Sequence, residues 1–347
     1  MDVQKKVDLA SRNALEIVTA EELRTLFETK DRPTAYIGYE PSGFVHAGQA
    51  ITASKIIDLQ EAGVEVTIFL ADWHALINDK LGGKLENIQL CGEYLKECFL
   101  AMGVKDSVKF VWASDLCNSS RYWEKFLRIA KSSSMSRIRR AMTIMGRAED
   151  EAEMDASKMM YPPMQAADIF ELGVDIALAG MDQRRAHMLA RDAADKLGWK
   201  KPVALHTPLL VSLIGGGRMD PVEAKMSKSS PNSAIFLHDT PEDISRKMKN
   251  AFCPAEAEGN PVLDAMRLIV FPKLGSVHID RPGKYGGPVD FSNFEELLSM
   301  YTSGKLHAQD LKKGAADGMT KVLEPVRGYF KNHPENLEKV KKLSITR

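Results

Sequence analysis

The stretch Tyr36-Ile37-Gly38-Tyr39-Glu40-Pro41-Ser42-Gly43-Phe44-Val45-His46-Ala47-Gly48-Gln49 decides the fold. It reads as a short strand, then a turn over residues 40–43, then the start of a helix that receives His46 and Gly48. The spacing predicts that helix over roughly residues 48–62, with Ala53, Ile56 and Ile57 on one face and Gly63 as its stop. A second strand over residues 64–70 follows at once, so the unit is a right-handed parallel crossover. Open amides at such a helix N-terminus attract anions, His46 adds a donor, and Gly48 lets a ligand approach the backbone. The stretch reads as half of a nucleotide phosphate site.

The other half lies far downstream, where Lys225-Met226-Ser227-Lys228-Ser229 sits between the Gly215-Gly216-Gly217 run and Pro231. Two lysines flanking hydroxyls, on a segment without hydrophobic period, suit a clamp over a polyphosphate. Each half alone is weak, because a short Lys/Ser run is usually a solvated loop. Together, in this order, they resemble the two signature motifs of class I aminoacyl-tRNA synthetases. The resemblance implies an ATP site at Gly38, His46, Gly48, Gln49, Lys225, Ser227, Lys228 and Ser229, with His46, Lys225 and Lys228 catalytic. One departure stands out. The first signature usually ends in histidine, whereas Gln49 offers an amide without charge.

With 347 residues, two domains are the natural prior. Lys+Arg and Asp+Glu are equal at 47 each, so RNA contact has to come from local patches such as Arg137, Arg139 and Arg140. Cys91, Cys98, Cys117 and Cys253 show neither paired nor zinc-ligand spacing, which points to a reduced, cytoplasmic setting and no protein metal site. No apolar run reaches the ~18 residues of a membrane span, and residues 1–6 lack a signal-peptide core.

Along the chain, residues 1–29 read as helices, the second opened by a capping box at Thr19 and Glu22. After the first crossover comes His74, at a strand end, where it either reaches a ligand crevice or is simply structural. A helix over 85–102, a strand over 108–113 and a long basic helical region over 121–147 follow. Helix beyond Pro163 would set Gln165 and Asp168 on one face, with Tyr161 at its entrance. A strand over 174–179 then leads to Gln183 and Arg184 at a second strand-to-helix junction, and a last strand lies within 202–213. A tyrosine, two glutamines and an aspartate suit a phenol hydroxyl and an ammonium group better than a phosphate.

Here the chain becomes similar to tyrosyl-tRNA synthetases of the archaeal/eukaryotic type, over nearly its whole length. The resemblance implies that Tyr36 and Asp168 pair the substrate hydroxyl, and that Tyr161, Gln165 and Gln183 hold its amino group and carboxylate, with Glu40 in the same pocket. It implies an α/β fold: a Rossmann-like parallel-sheet catalytic domain over 1–235 with a helical insertion at about 115–147, followed by a mainly α-helical anticodon-binding domain over 236–347. It further implies a homodimer joined through the insertion, and tRNA contacts at Arg140, Arg184, Tyr285, His307 and Asp310. In the C-terminal part, Thr240 caps a helix, residues 253–261 and 272–290 read as loops, Ser292 and Glu295 make a capping box, and residues 332–347 read as a mixed-charge tail that frays.

The implied partners are L-tyrosine, ATP with Mg²⁺ carried on its phosphates, and tRNA(Tyr). No membrane partner is expected. Three rivals stay open: a tryptophanyl-tRNA synthetase, a small-molecule nucleotidyltransferase, and a non-catalytic RNA-binding relative.

Overall fold

The computed structural model describes residues 1–146, 155–215 and 232–343. The chain divides into two units, one of Met1–Gly43, Thr52–Pro208 and the residues from Lys339, the other of Phe44–Ile51 and Leu209–Glu338.

The first unit opens with α1 (Val3–Ser11), β1 (Glu16–Val18) and α2 (Ala20–Thr29). Thr19 and Glu22 form the reciprocal capping box that their spacing predicts. Next come β2 (Thr34–Tyr39), α3 (Gly48–Glu61), β3 (Glu65–Leu70), α4 (Asp72–Ile77), α5 (Leu85–Ala101) and β4 (Lys109–Trp112). The insertion follows as α6 (Ala113–Leu116), α7 (Ser120–Ser132), α8 (Met135–Ala141) and a 3₁₀ turn, Met142–Met145. The single helical region expected there is broken at Ser133, because Ser134 restarts the helix by accepting from the Arg137 amide. Then come α9 (Ala156–Leu172), β5 (Ile176–Gly180), α10 (Arg184–Leu197) and β6 (Val203–Thr207).

The strands form one sheet in the order β1-β6-β5-β2-β3-β4, parallel except for β1, which pairs antiparallel with β6. β1 has only three residues, too few for an alternation pattern, and its existence is not legible in the sequence. From β2 the chain winds outward through β3 and β4, then returns to the other side of β2 with β5 and β6. The β2/β5 boundary is therefore the switch point, and the carboxyl edge there is where open α/β sheets bind ligands. Glu40 follows β2 and Gln183 follows β5. α9 starts earlier than the sequence suggests. Asp155 caps it by accepting from the Ser157 and Lys158 amides, and Pro162 and Pro163 lie inside it. Tyr161 is thus within the helix instead of at its entrance, and Tyr161, Gln165 and Asp168 share a face at helical spacing.

In the second unit, Leu213 donates its amide to Ser233, Leu237 to Val45, and Ala47 to Ile235. Those backbone bonds tie Leu213 to Ser233, and Ile235 and Leu237 to the segment that enters α3. Its helices are α11 (Pro241–Asn250), capped by Thr240 as expected, α12 (Pro261–Ala265), a π turn Met266–Val270, and α13 (Phe271–Leu274). The stretch expected to be loop contains a hairpin, β7 (Val277–Ile279) with β8 (Val289–Phe291). α14 (Phe294–Thr302) is capped by Asn293, one residue on from the predicted Ser292, and Glu296 accepts from the Ser292 amide in return. α15 (Ala308–Asn332) packs closely on two neighbours. A Cβ on Gly314 would lie 2.6 Å from Ile279 Cγ1, and one on Gly318 2.6 Å from Val270 Cγ1. The tail expected to fray instead carries α16 (Glu335–Lys341), with Leu337 and Val340 buried.

Candidate active site

At the centre of the first unit Asp168, 1% exposed, meets a tyrosine that donates to it and a histidine at ion-pair distance whose ring nitrogens make no hydrogen bond of normal geometry. Tyr122 Oη donates to Oδ1 across 2.9 Å, and His74 Nε2 lies 3.1 Å from Oδ2. Tyr36 points into the same region from β2, equally buried. Burial, and then the nearby Asp168 charge, push the Tyr36 phenol up, so it stays a neutral hydroxyl. The Tyr122 phenol is raised for the same two reasons. Gly38, two residues beyond Tyr36 on the same strand face, is exposed, and among the described residues a Cβ there would touch only Tyr36 and Phe69, at 3.7 Å each.

A second polar group stands where β2 ends. Tyr161 Oη donates to Glu40 Oε1 across 2.7 Å, and Asn78 Nδ2 donates to both Glu40 oxygens, at 2.9 and 3.1 Å. Asn78, fully buried, also donates to the Met145 carbonyl, which brings the insertion's 3₁₀ turn against the site. Gln165 Nε2 donates to Gln183 Oε1 at 3.3 Å, and Gln183 donates on to the Ile144 carbonyl at 3.0 Å. Gln165 Oε1 is buried and makes no hydrogen bond of normal geometry, although Gln165 lies near enough to Tyr36 to oppose the rise in its pKa. A buried acceptor without a partner costs free energy, and a bound donor would recover it.

Behind Tyr36 runs a chain of buried imidazoles. His206 Nδ1 sits 2.8 Å from Glu16 Oε2, and His206 Nε2 sits 3.0 Å from His187 Nδ1. The His187 ring lies 6.4 Å from the Tyr36 ring, centroid to centroid. Burial and the facing His206 push His187 down to about 3, and burial lowers His206 despite Glu16.

In the second unit the signature residues form a local cap. His46 Nδ1 accepts from the Gly48 amide at 3.1 Å, while Gln49 Oε1 accepts from the His46 amide at 3.2 Å. This is a capping box built from histidine and glutamine. The expectation of open amides at this helix start is corrected. Ala47 donates to Ile235, Gln49 to His46 and Ala50 to Ala47, so these amides already have partners within the protein. With Nδ1 accepting, the proton of the neutral ring sits on Nε2, and that edge is the donor. A Cβ on Gly48 would come within 2.7 Å of His46 Cε1, so glycine is what lets the ring lie over the backbone.

Comparison with known proteins places this geometry. The family model for class I tRNA synthetases (W and Y) matches residues 28–324. The chain belongs to this synthetase family. It is 48% identical over 346 residues to the tyrosine–tRNA ligase of Aeropyrum pernix, covering 96% of this chain and 95% of that one. A tyrosine–tRNA ligase of Saccharolobus islandicus is 48% identical over 356 residues, covering 99% of both. The crystal structure of tyrosyl-tRNA synthetase complexed with L-tyrosine from Pyrococcus horikoshii superposes with a TM-score of 0.91 at 43% identity, covering 98% of this chain and all of that one.

The remaining residues expected to act in the synthetase are dispersed. Lys225, Ser227, Lys228 and Ser229 lie outside the described residues. Arg140 is exposed, and its carbonyl accepts from Arg185 at 2.8 Å. Arg184 is ion-paired with Glu16 at 2.8 Å. In the second unit Tyr285 is 59% exposed at the hairpin tip. Arg281 ties that tip to the start of α15 by donating to the Gly287 and Lys305 carbonyls at 2.6 and 2.9 Å. His307 caps α15, and Asp310 stands in its first turn. Sequence reasoning left His74 undecided and missed Tyr122 and Asn78. Tyr122 and Asp168 are 46 positions apart, and no local pattern signals their bond.

Proposed function

We infer that this synthetase is a tyrosine–tRNA ligase. The tyrosine carboxylate attacks the α-phosphorus of ATP, the bond to pyrophosphate breaks, and the tyrosyl group then passes from the adenylate to the terminal ribose of tRNA(Tyr). The observation that carries the reading is a buried neutral phenol, Tyr36, within the field of the equally buried carboxylate of Asp168. A hydroxyl that both donates and accepts satisfies such a pair. An indole N–H only donates, which speaks against tryptophan.

In this reading Tyr36 and Asp168 hold the substrate hydroxyl, while Tyr161, Gln165 and Gln183 hold its amino group and carboxylate. Glu40 orients Tyr161 through their hydrogen bond. His46 presents its Nε2–H to phosphate, and Gly48 keeps the ring in place. Lys225 and Lys228 neutralise the leaving pyrophosphate, a role that rests on their resemblance to the family signature. Neither step requires a protein nucleophile, so catalysis is positioning plus charge stabilisation. Mg²⁺ arrives with ATP. Among the described residues there is no cluster of three or more side chains suited to hold it, and no step here is routed through the ion.

Arg140, Arg184, Tyr285, His307 and Asp310 are the proposed tRNA contacts, and a symmetric homodimer is the proposed assembly. Exposed Leu127 and Met135 on the insertion helices favour the latter. Four free cysteines suit a reducing cytoplasm. Among the described residues no helix is long and apolar enough to cross a membrane. Amino-acid-dependent ATP–pyrophosphate exchange with the twenty amino acids tests the reading: exchange with tyrosine alone is expected, and exchange driven by tryptophan would overturn it.

A further inference from the structure

His74 has no part in the roles assigned above, yet everything around it bears on the substrate hydroxyl. It sits on α4 with 1% exposure. Its ring meets Tyr161 edge-on at 5.0 Å and Phe69 at 6.0 Å, which fixes its plane. In that plane Nε2 reaches Asp168 Oδ2 at 3.1 Å. The charged and titratable groups around it are Asp168 and Tyr161 from α9, Glu40 after β2, and Asp72 on its own helix. Burial pushes the imidazole down, but Asp168, helped by Glu40 and Asp72, more than offsets this, so its pKa lies above the ordinary histidine value.

An ionised carboxylate offers about four lone-pair positions. Tyr122 takes one on Oδ1, and His74 Nε2 stands 3.1 Å from Oδ2, an ion-pair contact outside normal hydrogen-bond geometry that a small turn of either side chain would close into a bond. A carboxylate held on one side only can rotate about its χ2 angle, whereas one held on both oxygens cannot. We propose that His74 is a positioning residue for substrate recognition, whose Nε2–H locks Asp168 in the orientation that accepts the substrate's phenolic hydroxyl. The proposal rests on the assignment of Asp168 to that hydroxyl. It makes tyrosine-over-phenylalanine selectivity depend on a side chain behind the carboxylate, through the geometry of a charge-assisted bond.

The test compares exchange kinetics with tyrosine and phenylalanine in the full-length enzyme and three variants. His74→Leu fills the volume without a donor. His74→Asn places its amide near the position of Nδ1, too short to reach Asp168. His74→Gln sets an amide N–H about where Nε2 stands. The leucine and asparagine variants should lose selectivity by roughly tenfold or more, carried by the tyrosine KM, with kcat for tyrosine within about threefold of the parent. The glutamine variant should return to within about threefold of the parent. Selectivity retained by folded His74→Leu or His74→Asn, or a glutamine variant as impaired as the others, overturns the proposal. Failure of all three to fold, judged by thermal melting, also overturns it, since the histidine is then structural. Absence of tyrosine-dependent exchange in the parent enzyme would instead remove the ligase reading, before any variant is made.

Discussion

Tyr161 and Glu40, 121 positions apart, are joined by a 2.7 Å hydrogen bond across the switch point of the sheet. Glu40 comes from the end of β2 and Tyr161 from the middle of α9, so the bond ties the floor of the site to its covering helix. Burial, followed by the Glu40 charge, pushes the Tyr161 phenol well up, so it remains a donor at any physiological pH. Removing the hydroxyl in Tyr161→Phe leaves Glu40 with the Asn78 amide and, at 3.7 Å, the Lys80 ammonium. Tyrosine affinity should fall by roughly tenfold and stability by about 1 kcal/mol. Equilibrium dialysis with labelled tyrosine and a denaturant titration check the two numbers.

Asp168→Ala removes the proposed acceptor for the substrate hydroxyl, strands the Tyr122 donor and takes away the carboxylate that faces His74. The ratio of kcat/KM for tyrosine over phenylalanine should fall by about 10- to 100-fold, the range for one lost hydrogen bond to a charge. An unchanged ratio in a folded variant would take Asp168 out of substrate recognition.

Gly48→Ala puts a methyl group 2.7 Å from His46 Cε1 and forces the ring off its amide. The rate of adenylate formation should drop while tyrosine binding stays near that of the parent, a split that single-turnover measurements resolve. Equal losses in both would show that the glycine serves folding alone.

His187 makes stability depend on acid. Its folded pKa, down at about 3, lies below the ordinary value of 6.5. Its contribution is complete above pH 6.5 and is lost as pH falls toward 3, by up to about 1.4 kcal/mol per pH unit while the unfolded chain takes up a proton that the folded one refuses. His74 runs the other way. Its pKa is raised, so its contribution is present below the ordinary value and fades as pH climbs through the raised one. Urea titrations from pH 7 to pH 4 should show a shallower decline in His187→Asn than in the parent.

Asp310→Ala tests the C-terminal unit. Loss of an acid from the first turn of α15 should cost less than about 1 kcal/mol of stability. If Asp310 reads a base, pyrophosphate exchange stays normal while tRNA charging weakens by roughly 1–3 kcal/mol. Charging that stays normal as well would leave Asp310 a helix-terminal acid and nothing more.

The crossover around Tyr36–Gln49 was legible because strand, turn and helix each leave a local mark, and α3 and β3 fall within a residue or so of their expected ends. The residues of the proposed tyrosine pocket were named through family resemblance, since Tyr36, Asp168 and Gln183 share no local pattern. Long-range partners left no trace. Asn78 bonds Glu40 from 38 positions away, and Tyr122 reaches Asp168 from 46. The hairpin of β7 and β8 was hidden because strands of three residues in a Pro/Gly-rich setting look like loop. The partner of the Ala47 amide at the start of α3 is the Ile235 carbonyl, which no reading of residues 46–50 alone could supply.

Gly314 and Gly318, one turn apart on α15, have a consequence for how such a chain can change. In most helices alanine improves on glycine by about 1 kcal/mol, so a stability screen or a drifting lineage tends to remove glycines. Here each new methyl would meet Ile279 or Val270 at 2.6 Å, and the expected gain becomes a loss. Substitution at either glycine is therefore conditional on a smaller residue at its partner. The pairs 314/279 and 318/270 should covary across relatives and show strong non-additivity in double-mutant cycles.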